Sequence, residues 1–179
     1  GLRWKHMAMG LGAGVVVAPI AWLFLAEYQR NRVLQFINPS INTGAQYNID
    51  QALISVGSGG LWGQGYGSAS QVQSRFLKVR RADFIFAATG AEFGLIGAML
   101  LLLVLAFVVW RILRIGRNAA DAYGAYICYG FAAMIFVQTV VNVGMNLNLL
   151  PVAGLPLPLV SYGGSALVTF FVGLGLVQS

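Results

Sequence analysis

One aspartate stands at a junction where its charge could do chemistry. Asp83 ends a cationic stretch and directly precedes an apolar run that continues to Trp110. The cations just before it are Arg75, Lys78, Arg80 and Arg81. A carboxylate beside guanidinium groups tends to stay ionised, and such places handle charged ligands. Aspartate also commonly caps the free amides at the start of a helix, and the two roles are compatible.

A second carboxylate lies deeper in the same run. Glu92 is nine residues after Asp83, and nine steps of about 100° place it on the opposite side of a helix, about 13 Å further along. The two acids cannot act as a pair on one continuous helix. Because a carboxylate inside the membrane is costly unless it is paired or hydrated, Glu92 is interpreted as a functional or structural polar contact. On the face of Asp83 lie small residues that allow another helix to approach closely, namely Ala87, Gly90 and Gly94.

Polar groups also gather near the C-terminal end. Asn142 and Asn146 are four residues apart and therefore share one helical face. A segment with three prolines, residues 150–158, follows them, and Ser161, Tyr162 and Gly163 then lead into the last apolar run. Ser161 could cap that last helix or contact a ligand. We expect this turn and the Asp83 turn to converge on one side of the molecule.

The composition predicts the elements that position these residues. The chain is 58% hydrophobic and 9% charged, whereas a soluble domain is roughly a quarter charged. Four apolar runs, at about 7–26, 84–110, 123–145 and 160–179, each suit a membrane-spanning helix. The predicted fold class is an all-α integral membrane protein, a polytopic helix bundle. Its net charge of +6 is attributed to topology and anionic lipid headgroups rather than to nucleic acid.

Residues 27–82 form a polar, glycine-rich loop that is too long for an ordinary connection and is therefore predicted to be functional. Short basic segments around Arg3 and Arg114 place the other ends of the spans in the cytoplasm, so this loop faces outward. Its cations, which also include Arg30 and Arg32, then have no topological role and are expected to bind an anion.

Two patterns stand out inside the loop. Ile49, Ala52, Leu53 and Val56 recur at helical spacing and predict a short amphipathic helix on the membrane surface. The glycine-rich run 57–67 lacks the Gly-Lys-Ser/Thr ending of a phosphate-binding loop. It is interpreted as a chain reversal that places three side chains at the membrane interface, Leu61, Trp62 and Tyr66.

Metal and disulfide chemistry has few residues to draw on. Cys128 is the only cysteine and His6 the only histidine, so an internal disulfide and a Cys- or His-based metal site are excluded. A metal held by carboxylates alone stays open. No signal peptide is recognised, and both ends are expected to be cut from a longer chain.

Several motifs resemble one family. They are Asp-Phe-Ile-Phe-Ala from Asp83, Asn-Val-Gly-Met-Asn from Asn142, Leu-Pro-Val-Ala-Gly-Leu-Pro-Leu-Pro from Leu150 and Val-Ser-Tyr-Gly-Gly-Ser from Val160. Together they resemble the C-terminal part of the SEDS family (shape, elongation, division and sporulation), the RodA, FtsW and SpoVE group. The match covers most of the chain in family order. The chain departs from the pattern at Arg81-Ala82, where many members have His-Thr, and at Ala91-Glu92, where many have adjacent glutamates. Asn148 also stands where glycine is common.

The resemblance implies a ten-helix enzyme of the bacterial cytoplasmic membrane, whose last four spans are those above and whose large loop is extracellular. Such an enzyme polymerises lipid II into glycan strands on the outer face during elongation or division, and releases undecaprenyl pyrophosphate. Asp83 falls on the family's essential aspartate and is the predicted catalytic base. The predicted substrate-binding residues are Arg75, Lys78, Arg80, Arg81, Glu92, Asn142, Asn146, Ser161, Tyr162 and Gly163.

The implied partners are lipid II, membrane lipids and a class B penicillin-binding protein that acts as the transpeptidase. No metal ligand is predicted, although a divalent cation at the pyrophosphate stays open. The alternatives are a lipid II flippase or transporter and a scaffold of the cell-wall synthesis complex. Charges crowd the outer boundary instead of following a path through the bundle, which favours the glycosyltransferase over the transporter. A RodA-like role is favoured over an FtsW-like one.

Overall fold

The computed structural model describes residues 21–38, 43–66 and 83–178, together with Trp4, Met9, Gly12 and Val17. These residues form helices and turns, and no strand occurs among them. The helices are α1 (Glu27–Ile37), α2 (Thr43–Ser58), α3 (Ile85–Arg117), α4 (Ala122–Asn146) and α5 (Gly164–Gln178). The all-α prediction is therefore confirmed for the described ranges. Most of the predicted first span, 7–26, lies outside them.

Two helices, α3 and α4, are long and apolar enough to cross a membrane. α3 is longer than the predicted span, 84–110, and ends at Arg117. Arg114 and Arg117, which follow that predicted span in the sequence, therefore lie in the last turn of α3. Cations at that end interact favourably with the free carbonyls of the helix. The apolar helix α5 has 15 residues and begins at Gly164, later than predicted, because residues 158–162 form a turn and a bend instead.

A shared core joins the last three helices. Its buried members are Ile112, Cys128, Ala132, Ile135, Phe170 and Val177. A second cluster joins α2 to the start of α3, where Ala52 packs against Phe84 and Ala87. The predicted amphipathic helix is thus present within α2, but its apolar face lies against α3 and not simply on the membrane surface. Small side chains on both helices permit this close approach.

α3 is broken at Gly94, which contradicts the prediction of one continuous helix. Gly94 has φ 68° and ψ −166°, a backbone conformation that is essentially restricted to glycine. In an unbroken helix the amides of Leu95 and Ile96 would donate to carbonyls four residues earlier. Instead, Leu95 N donates to Gly60 O at 2.9 Å and Ile96 N to Leu61 O at 3.2 Å. The amides freed by the break are therefore satisfied by residues 60 and 61, which belong to the predicted long loop.

The carbonyls freed by the break are satisfied in the same way. Ala91 O accepts from Gln64 N at 2.9 Å, and Glu92 O accepts from Gly65 N at 3.1 Å. We call residues 59–66 the glycine loop. A Cβ at its Gly63 would lie 2.2 Å from Glu92 O, so this close approach requires glycine.

The glycine loop reverses the chain, as predicted, with positive φ at Gly60, Gly63 and Gly65. Its large side chains are exposed, at 61% for Leu61, 80% for Trp62 and 83% for Tyr66, which leaves them available to an interface. Sequence reasoning did not anticipate that this reversal docks into α3. The docking fixes the first part of α3, Ile85–Phe93, relative to the rest of the helix. Asp83 lies in the turn just before this part.

Candidate functional site

Asp83 lies in the turn that enters α3, with its side chain partly buried. Phe84 occupies the N-cap of the helix, so Asp83 is one residue outside the position at which a capping aspartate was considered. The first-turn amide of Ala87 instead donates to Oδ1 of Asn146 at 3.2 Å. A side chain of α4 thus caps α3 at this amide.

Two asparagine side chains hold the main chain at Asp83. The Nδ2 groups of Asn142 and Asn146 each donate to the Asp83 carbonyl at 3.0 Å. Asn146 Nδ2 also donates to Asn142 O at 2.8 Å. Both asparagines are fully buried, at 0% exposure. Their shared face was predicted from the sequence, and in this structure it points at the backbone of the acid.

The proline segment, residues 150–158, reaches the same point from the other side. Asn142 Nδ2 donates to Leu155 O at 2.7 Å as well as to Asp83. A Cβ built on Gly154 would lie 3.9 Å from Asp83 Oδ2, so the carboxylate faces this glycine. Gly154 has φ 69°, in the left-handed region that favours glycine. The structure thus brings the proline segment to the Asp83 turn. The convergence of the Ser161 turn with Asp83 stays a prediction.

Arg32 of α1 is a member of the site that sequence reasoning did not single out. Its Nη1 donates to Val152 O at 3.0 Å and would lie 3.7 Å from a Cβ on Gly154. The guanidinium also lies 5.9 Å from the ring centroid of Tyr28. In the sequence Arg32 is one of several outer-loop cations, and no spacing relates it to Asp83. A contact across such a distance along the chain is visible only in the fold.

Two effects on the pKa of the Asp83 carboxyl are seen in the structure. Burial raises the pKa of the Asp83 carboxyl above its ordinary value, and the Arg32 guanidinium opposes that rise in pKa with a smaller effect. The sequence predicted that the cations between Arg75 and Arg81 keep this carboxylate ionised. They lie outside the described residues, so that effect stays a prediction. Of the two effects seen in the structure, desolvation is the larger. It raises the pKa because burial penalises the charged form of the carboxyl. A raised pKa makes the carboxylate a better proton acceptor than an exposed aspartate.

The remaining predicted residues occupy different places. Glu92 is half-buried beside the glycine loop, bound through its carbonyl. Ser161 is 3% exposed, and its Oγ accepts from Leu157 N at 2.7 Å. Tyr162 is 78% exposed, and Gly163 precedes α5. The four predicted cations, Arg75, Lys78, Arg80 and Arg81, lie outside the described residues, so their contact with substrate stays a prediction.

No group of three His, Cys, Asp or Glu side chains lies together within the part of the chain that the structure describes. A divalent cation at a pyrophosphate therefore stays a prediction. Among the described residues, Arg32 acts on the Asp83 carboxylate through its charge, and the backbone at Gly154 faces this carboxylate. This arrangement suits a carboxylate that accepts a proton next to a positive charge.

Residues 1–179 match the family model for FtsW, RodA and SpoVE, described as cell cycle protein. The chain belongs to the FtsW/RodA/SpoVE family. The resemblance predicted from the motifs is thus confirmed. The chain is 41% identical to the peptidoglycan glycosyltransferase MrdB of Escherichia coli K12, over 100% of this chain and 49% of MrdB. It is 40% identical to a probable peptidoglycan glycosyltransferase FtsW of Methylococcus capsulatus, over 94% of this chain and 43% of that protein.

A solved structure is also similar to this FtsW/RodA/SpoVE chain. It is a chain of a peptidoglycan synthase complex that coordinates polymerization and crosslinking. The TM-score is 0.77 at 32% identity, over 99% of this chain and 48% of that one. The chain therefore spans about half the length of the relatives that it matches.

The fold also accounts for one departure from the family pattern. Asn148, where the resemblance led us to expect glycine, has φ 55°. Asparagine adopts this left-handed conformation more readily than most residues. The turn that connects α4 to the proline segment is therefore kept despite the substitution.

Proposed function

We propose that the full-length protein is a peptidoglycan glycosyltransferase that polymerises lipid II and releases undecaprenyl pyrophosphate. The similarity to MrdB and FtsW supports this activity. The observation on which the proposal depends is the placement of Asp83: a partly buried carboxylate with a raised pKa, held at a helix start beside Arg32. The protein lies in the bacterial cytoplasmic membrane, with four spans of about ten and with Asp83 on the outer face.

The proposed reaction uses Asp83 as a general base. The carboxylate takes the proton of an acceptor sugar hydroxyl, and the hydroxyl oxygen attacks the anomeric carbon of the donor. The bond between that carbon and the pyrophosphate oxygen breaks, and undecaprenyl pyrophosphate leaves with the electron pair. Negative charge grows on the leaving group, so a fixed guanidinium such as that of Arg32 stabilises the transition state. The predicted cations between Arg75 and Arg81 are proposed to add to this effect.

The proposed partner is a class B penicillin-binding protein that crosslinks the new glycan. The similarity to a chain of a complex that coordinates polymerization and crosslinking supports this assignment. The RodA-like rather than FtsW-like role stays a prediction.

The test is polymerisation of labelled lipid II by the purified full-length protein with its transpeptidase partner. Asp83→Ala and Asp83→Asn should each lower the rate by about 10²–10⁴-fold, the usual contribution of a general base. Asp121→Asn is the matched control. Asp121 is also an aspartate before a helix, where it accepts from Gly124 N at 3.3 Å, and this variant should keep the wild-type rate.

The outcomes separate the candidate functions. Polymerisation that persists in a folded Asp83→Asn variant would contradict base catalysis. Movement of lipid II across vesicles without polymerisation would favour the transporter. A protein that does neither, but recruits an active synthase, would favour the scaffold.

A further inference from the structure

We propose that Asn142 and Asn146 are positioning residues, which hold the backbone of Asp83 so that its carboxylate faces Gly154 and Arg32. The inference rests on the proposed function in taking Asp83 as the base. It assigns these asparagines a role behind the acid instead of the substrate contact that the sequence suggested.

Hydrogen bonds from the two side chains hold the start of α3. Both Nδ2 groups donate to one acceptor, the Asp83 carbonyl, at 3.0 Å. Asn146 Oδ1 accepts from Ala87 N at 3.2 Å, one turn into α3. The pair therefore grips the helix start at two points on either side of Phe84, which fixes both the position and the direction of the entering chain.

Asn142 also connects Asp83 to the proline segment on the opposite side of the site. The same Asn142 Nδ2 that binds Asp83 also binds Leu155 O at 2.7 Å. The proline segment is held a second time by Arg32, through Val152 O. Gly154 lies between these two attachment points and faces the carboxylate. One amide group of Asn142 thus sets the spacing between the acid and the segment that faces it.

Both asparagine side chains are buried in the protein. Asn142 and Asn146 are each 0% exposed, and their amide groups are occupied by protein partners. A buried amide that is fully used in this way has no free group for a sugar. Its removal takes a partner from the backbone, namely from the Leu155 carbonyl in the case of Asn142 and from the Ala87 amide in the case of Asn146. Loss of either side chain should therefore affect catalysis through the position of Asp83.

The experiment compares Asn142→Leu and Asn146→Leu with wild type in lipid II polymerisation by the full-length protein. Leucine has a similar volume but cannot donate. We expect kcat to fall by about 10–100-fold, as a displacement of about 1 Å at a catalytic group does, with KM for lipid II unchanged. Thr139→Val is the matched control on α4, because the Thr139 hydroxyl donates only within its own helix, to Ile135 O. It should leave both constants unchanged.

A second readout does not depend on activity. The infrared carboxyl band that disappears in Asp83→Asn is titrated in wild type and in the asparagine variants. Among the described residues, the groups that face Asp83 include the charged Arg32 on α1, the neutral asparagines on α4 and the backbone at Gly154. Release of the helix start should hydrate the carboxyl and lower its midpoint toward that of a free aspartate. Asn142→Ser and Asn146→Ser, which bury no bulky group, serve if the leucine variants do not fold.

The proposal is overturned if folded variants keep both kcat and the infrared midpoint of wild type. It is also overturned if KM rises while kcat is kept, since that pattern indicates direct substrate contact. If the wild-type protein does not polymerise lipid II at all, the proposed function fails, and the infrared midpoint alone decides the positioning role.

Discussion

Gly94 offers the sharpest test of how this site is built. Its backbone break separates the segment that begins at Asp83 from the long apolar part of α3, and the glycine loop fills the break. Gly94→Ala adds one methyl group at a position where both conformation and space exclude it. We expect this substitution to undo the docking of the loop.

Two effects set the magnitude. A non-glycine residue in this backbone region costs about 1–3 kcal/mol. The new Cβ would lie 2.4 Å from Gly63 N and 2.5 Å from Leu61 O, so the loop must move. Four backbone hydrogen bonds link the loop to α3, and each contributes about 0.5–1.5 kcal/mol net. Loss of the docking should therefore lower the free energy of unfolding by about 3 kcal/mol or more.

The assay is denaturant unfolding of the full-length protein in detergent, together with lipid II polymerisation. Gly130→Ala is the control, because a Cβ there meets nothing within 4 Å. Alanine favours a helix over glycine by about 1 kcal/mol, so this control should be neutral or slightly stabilising. If Gly94→Ala and Gly130→Ala have the same free energy of unfolding, the docking of the glycine loop does not stabilise the protein, and this reasoning is refuted. Full activity in a destabilised Gly94→Ala would refute its role in placing Asp83.

Three further predictions concern the site itself. Asp83→Asn should raise the thermal midpoint at neutral pH. A carboxyl with a raised pKa contributes stability below its ordinary pKa of 3.8, and this stability is lost as the pH rises through the pKa of the folded state. A difference in thermal midpoint between Asp83→Asn and wild type that does not vanish toward low pH would contradict the burial of this group. Arg32→Gln should shift the acid limb of the polymerisation pH profile upward, because the charge that lowers the Asp83 pKa is removed; an unmoved limb would argue against that coupling. Gly154→Ala should lower the thermal midpoint, since φ 69° costs a non-glycine residue about 1–2 kcal/mol; an unchanged midpoint would show that the turn adapts.

Much of the architecture is local information. α4 (Ala122–Asn146) contains the predicted run 123–145, because hydropathy over some twenty residues suffices to recognise such a helix. The amphipathic pattern around Ala52 likewise predicted a helix. The surface against which that helix packs could not be predicted from its own sequence, because the small residues that it contacts belong to α3.

The break at Gly94 was missed for a similar reason. A glycine inside an apolar helical pattern is usually tolerated, and no residue near it signals a stop. The break is stable because residues about thirty positions earlier supply the missing hydrogen bonds. The link between Arg32 and Asp83 was missed for the same reason, as the position of Arg32 in the site comes from a bond to Val152, 120 residues away.

The sequence alone determined that the chain is helical and apolar, that it belongs to one family, and that Asp83 is its outstanding acid. Each of these follows from composition or from contiguous motifs. The tertiary structure alone decided which groups surround Asp83, that burial outweighs Arg32 in setting its pKa, and that two asparagines bind its backbone. The physical reason is that hydrogen bonds and desolvation act over a few ångströms in space, and the residues that make them lie far apart along the chain.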